Sequence, residues 1–191
     1  RDYHLSEFDD ACWVEMLDPA AIPGTAAATQ RVQRPIVMTT GSHHMQVYWF
    51  PIGVRRTLAI LPFVFLNETQ EWIPRSAAFL SPREDGVSHE IGRWNFACSK
   101  CHSTHPQERE VTFGEWDTRA VEFGISCEAC HGAGQQHIAY HRDSAANQDA
   151  DAASLSSDPI VNPENLSHVR SSQVCGQCHS VMTLKGDPGE I

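Results

Sequence analysis

Three times the chain sets two cysteines three positions apart with a histidine directly behind the second: "CSKCH" at 98–102, "CEACH" at 127–131 and "CGQCH" at 175–179. No other feature constrains the fold as strongly, because CxxCH is the attachment pattern of covalent c-type haem. A short helical or turn-like segment brings Cys98 and Cys101, Cys127 and Cys130, or Cys175 and Cys178 to one side, where two thiols can add to the two vinyl groups of one porphyrin. The histidine that follows, His102, His131 or His179, then reaches the iron as its proximal ligand. The expected cofactor content is three covalently bound haem c.

Other uses of paired cysteines fit less well. A zinc site takes four Cys or His ligands, so three knuckles pair badly, and zinc gives no reason for a histidine at every +1 position. A thioredoxin-like redox pair needs one CxxC in a βαβ setting. A disulfide framework built from such pairs would close very small loops and leave Cys12, the seventh cysteine, without a partner. Cys12 itself reads as a buried free cysteine on a helix.

Composition narrows the partners. Twenty-four acidic against fourteen basic side chains give a formal charge of −10, which argues against nucleic acid and anionic membrane surfaces and favours cationic redox protein partners. The most apolar run, "TLAILPFVFL" at 57–66, is much shorter than the ~20 residues of a membrane helix and contains Pro62. No transmembrane segment is expected. With Arg1 in place of an initiator methionine, the chain reads as processed or as a piece of a longer protein.

The expected fold class is α+β with much irregular structure. Residues 1–90 read as a haem-free, β-rich module and residues 91–191 as a triple-haem region, the two forming one integrated unit. In the first, "SEFDDACWVEML" (6–17) predicts a short helix capped by Ser6 and stopped by Pro19. "RVQRPIVMTTGSHHMQVYWFPI" and "RRTLAILPFVFLNETQEWIPR" are rich in β-branched and aromatic residues and broken by turn signals, predicting an antiparallel β-meander over about 31–75. Pro74, Pro82 and "SPREDG" predict an irregular connection into the second region. There, flat apolar porphyrins replace much of the side-chain core, and short helices are expected around the motifs, in 124–141 and 170–182. Gly132 and Gly134 turn the chain past His131, either to clear a neighbouring haem or simply to end a helix. The polar stretch 142–165 reads as a surface loop.

Five stretches together resemble bacterial multihaem cytochromes c with a domain similar to the tetrahaem cytochrome of ammonia oxidisers: "TTGSHHMQVYW", "EWIPRSAAFL", "WNFACSKCHST", "GISCEACHGAGQQHIA" and "VCGQCHS". The resemblance covers most of residues 36–180. It implies an extracytoplasmic electron carrier with largely bis-histidine haems, usually with further CxxCH motifs, so that this chain would be a fragment or one subunit of an assembly. It also points to His137 and the His43/His44 pair as distal iron ligands. His137 is too near His131 to serve the same haem and would ligate a neighbour; of the adjacent pair, which diverge in a turn, His44 is preferred. His89 and His168 are the remaining distal candidates. His4, His105 and His141 read as surface residues, and Met16, Met38, Met45 and Met182 as packing residues rather than axial ligands.

Filled axial positions would leave one-electron transfer between redox partners as the function. The competing readings are a haem enzyme with one open iron site acting on a small nitrogen or sulfur compound, and an electron-carrying subunit of a larger complex or conducting assembly. Covalent haem attachment implies a periplasmic, cell-surface or extracellular location.

Overall fold

The N-terminal segment is a β-hairpin. In the computed structural model, which describes residues 2–78, 89–146 and 158–180, β1 (His4–Phe8) pairs antiparallel with β2 (Ala11–Leu17). The helix expected over 6–17 is therefore wrong, for two physical reasons. Asp9 and Asp10 both take positive φ (53° and 56°), the backbone of a two-residue hairpin turn, which short Asx side chains tolerate. Beyond them, burial alternates with period two: Val14 and Met16 are buried while Trp13, Glu15 and Leu17 are less so. Cys12 consequently sits exposed on a strand, not buried on a helix.

The antiparallel strands expected over 31–75 are present but belong to two sheets. β3 (Arg31–Pro35) pairs with β2, completing a three-stranded sheet in the order β1-β2-β3. β4 (Met38–Thr40), β5 (Met45–Pro51), β6 (Leu58–Leu66) and β7 (Glu71–Pro74) form a four-stranded meander. The long apolar run of β6 is explained by burial on both faces. On one, Phe50, Ile52, Ala59 and Leu61 meet Val14 and Met16. On the other, Val47, Trp49, Ile60 and Val64 meet Trp94. Pro62, which has no amide hydrogen to give, lies where the β5–β6 register shifts between Val47 and Trp49. Met16 is core, and Met38 and Met45 pack against the second cluster, as packing residues should. Met182 lies outside the described residues.

A short helix α1 (Arg75–Ala78) follows β7; the connection expected around Pro82 lies outside the described residues. A π-helical turn (Trp94–Cys98) runs into α2 (Ser99–His102). Then come β8 (Ser103–Thr104), β9 (Glu110–Thr112), β10 (Glu115–Trp116) and β11 (Glu122–Phe123), in two small antiparallel pairs, β9–β10 and β8–β11. Helices α3 (Cys127–His131), α4 (Gln135–Ala146) and α5 (His168–His179) follow. α4 extends into the stretch expected to be loop, carried by helix-favouring Arg142, Ala145 and Ala146; residues 147–157 lie outside the described residues.

The chain divides into two compact units, residues 1–102 with 106–120, and residues 103–105 with 121–191. The first holds both side-chain cores. Among its described residues the second buries no hydrophobic side chain; only Ser103 and Thr104 are buried.

Candidate functional site

The first CxxCH grows out of the sheet-bearing unit. Trp94 packs edge-on against Trp49, with ring centroids 5.8 Å apart, and Cys98 lies against the same apolar cluster. Fully buried Asn95 fixes the turn through its amide. Its Oδ1 accepts from the Leu58 amide (3.0 Å), and its Nδ2 donates to the Arg56 carbonyl (2.9 Å) and to Thr118 Oγ1 (2.8 Å). Ser99, also buried, donates from Oγ to the Asn95 carbonyl at 3.1 Å. Just upstream, Gly92 has φ +78° and a Trp116 ring carbon 2.2 Å from where a Cβ would stand, so no other residue fits. Cys98, Cys101 and His102 then fall at i, i+3 and i+4 of a continuous helical segment, which puts them on one side. Burial pushes the Cys98 thiol above its ordinary range; Arg93 works against this and Glu90 with it. His102 is exposed.

In the second unit the second motif is held by Thr104. Its hydroxyl donates to the Gly124 carbonyl (3.0 Å) and accepts from the Ser126 amide (2.9 Å), anchoring the residue that precedes α3. Cys127 and Cys130 are exposed, and Gly132 ends the helix at φ +73° with open space where a Cβ would stand. That is the helix-ending role of Gly132. Beside it, Glu128 Oε1 accepts from the Gly134 amide at 2.7 Å. His131 Nδ1 lies 2.8 Å from the Val161 carbonyl. A carbonyl only accepts, so Nδ1 carries the proton and Nε2 is left with the lone pair that a metal takes.

The third motif closes α5, with Cys175 and Cys178 three apart and His179 as the last helical residue. Gln177 Nε2 donates to the Ala129 carbonyl at 2.7 Å, tying α5 to α3. Between these two motif helices lies an open cleft of about 530 Å³, lined by Ala129, Cys130, Arg170, Gln173, Val174 and Gln177. In the same unit Phe123 (74%), Ile125 (65%), Ile138, Val161 and Val169 are exposed to solvent. A flat apolar porphyrin is the kind of group this arrangement suits: a motif thiol, Cys130, at a cleft, and exposed apolar side chains in the same unit.

The five distal candidates occupy four different settings. His137, on α4, places Nδ1 2.7 and 2.9 Å from the two oxygens of Asp158, and His141, one turn on, places Nε2 3.0 Å from Asp158 Oδ2. The His137 bond does most to hold the Asp158 carboxyl below its ordinary range; desolvation opposes it, and the bonds from His141 and the Ile160 amide add to it. His43 and His44 are exposed at the β4–β5 turn, where Gly41 is obligatory: φ is +87° and a Cβ would stand 2.1 Å from the Met45 carbonyl oxygen. His43 Nδ1 meets Ser42 Oγ at 2.9 Å. His89 is half-buried, its Nδ1 donating to the Ile60 carbonyl (3.2 Å) and its ring edge-on to Phe50 at 5.6 Å. His168 is exposed at the start of α5. From sequence Asp158 reads only as one of four solvated aspartates of the polar stretch 142–165, so its contacts with His137 and His141 went unread, as did the roles of Asn95 and Thr104; a polar side chain whose partners are distant leaves no local pattern.

Residues 68–132 match the family described as Cytochrome c554 and c-prime. The match takes in the first two CxxCH motifs and ends just after the second; this part of the chain is thus similar to a multihaem cytochrome c family, whose chemistry is electron transport with haem iron. No curated protein and no solved structure matches the chain. Among the described residues no helix is long and apolar enough to cross a membrane.

Proposed function

We propose that the chain binds three haem c groups and passes single electrons along them between redox partner proteins. The observation that carries this reading is the helical placement of all three motifs, each with two thiols and an imidazole at i, i+3 and i+4. The third motif lies beyond the family match and has the same local geometry as the second. Bound haem would supply the reversible one-electron couple of its iron. The residues do the rest. Cys98/Cys101, Cys127/Cys130 and Cys175/Cys178 would hold the porphyrins covalently, and His102, His131 and His179 would bind the iron as proximal ligands. His137 would be the distal ligand of a haem other than the one at His131, and two of the candidates His44, His43, His168 and His89 would supply the two remaining distal positions.

Histidines holding bound haem iron from both sides would keep small molecules from the metal, which favours a carrier over an enzyme. The acidic charge of −10 favours donors and acceptors with basic faces, and covalent haem places the protein in the periplasm, at the cell surface or outside the cell. The test is a spectrum of the dithionite-reduced holoprotein under carbon monoxide. A carrier keeps three low-spin haems; a carbon monoxide adduct in the untreated wild type would give one haem an open site and favour the enzyme.

A further inference from the structure

We propose that Asp158 is a positioning residue for His137: its carboxylate holds the imidazole with Nδ1 protonated and Nε2 presented to a haem iron, and its charge makes that imidazole a stronger donor. This rests on the reading of His137 as a distal ligand and goes beyond it by naming what controls that ligand. Three donors fix the carboxylate. His137 Nδ1 reaches both of its oxygens, His141 Nε2 reaches Oδ2 at 3.0 Å, and the Ile160 amide reaches Oδ1 at 3.2 Å. An ionised carboxylate only accepts, so both imidazoles donate to it and the His137 tautomer is determined. The His141 ring stands edge-on to that of His137, centroids 4.6 Å apart, and limits its rotation. A histidine whose second nitrogen donates to a carboxylate is oriented for a metal and more basic toward it. A stronger axial donor stabilises ferric over ferrous iron, so one haem should have a lower potential than it would without Asp158.

The same three side chains have the composition of a small divalent metal site, their donor atoms within 4.8 Å of one another, and the experiment must separate the two uses. In the holoprotein, Asp158→Asn keeps an oxygen that can accept from Nδ1 but removes the charge. The expected result is a shift of one haem's reduction equilibrium by about tenfold, about 59 mV for a one-electron couple, toward the reduced state. The paramagnetic resonance signal of the same haem should change while all three stay low-spin, and Asp158→Glu should restore most of both. Unchanged potentials and signals in Asp158→Asn, alongside a high-spin haem in His137→Ala, overturn the role of Asp158 alone. Three low-spin haems in His137→Ala overturn the ligand reading and this proposal with it. Stoichiometric binding of Zn²⁺ to the wild-type holoprotein, lost in both Asp158→Asn and His141→Ala, also overturns it.

Discussion

Replacing Asn95 by alanine should loosen the segment that carries the first haem motif, and the structure gives the size of the effect. The side chain is fully buried and makes three hydrogen bonds, two of them to main-chain groups of the segment that leads into β6. Alanine leaves the Leu58 amide and the Arg56 carbonyl without that partner, while Thr118 keeps its bond to the Glu108 carbonyl at 2.8 Å. Both main-chain groups are part-buried, so at about 1–2 kcal/mol each, the lower part of the penalty for an unmet buried group, they give an expected loss of about 2–4 kcal/mol. That is a large share of the ~5–15 kcal/mol by which domains are stable. Guanidinium unfolding followed by far-ultraviolet circular dichroism should show a lower midpoint with an unchanged slope. Thr118→Val, which removes one of the three bonds, should cost only about 1 kcal/mol. A loss below about 1 kcal/mol in Asn95→Ala would refute the claim that this amide holds the motif to the sheet.

Gly92→Ala should be similarly costly, about 2–4 kcal/mol by the same unfolding assay, because it combines a positive φ with a Cβ that overlaps the Trp116 ring. In the reduced, haem-free chain, alkylation of Cys98 should lag behind that of exposed Cys127, Cys130 and Cys175 at pH 8. Burial raises its pKa, so less of it is thiolate at that pH, and its alkylation rate should half-saturate only above the ordinary thiol range. Peptide mapping after timed iodoacetamide treatment checks this, and Cys98 reacting first would contradict it.

The haem chemistry was legible because CxxCH is local: five consecutive residues carry the whole attachment device. The meander was legible for the same reason, since β5 and β6 announce themselves by composition. The N-terminal hairpin was not. Phe8, Cys12 and Leu17 can be laid along a loose helical stripe, and only the positive φ at both Asp9 and Asp10 shows that the chain reverses there. The Asp158 contact was hidden by distance, since it joins α4 to a residue beyond a stretch of polar sequence. His141, read from sequence as a surface histidine, is exposed as expected but is engaged with that carboxylate. Gly41 was readable as a turn residue, but the reason it must be glycine, the Met45 carbonyl against it, needed coordinates.

The central claim is that all three motifs carry covalent haem, and the mass of the denatured holoprotein tests it most directly. Thioether bonds survive denaturation, so acid-denatured protein matured with the haem-attachment machinery should weigh the polypeptide plus three haems. Cys175→Ser with Cys178→Ser should weigh one haem less, and the other two should stay attached. A wild-type mass that fits two haems or fewer would contradict the account, beginning with the third motif, which lies outside the family match.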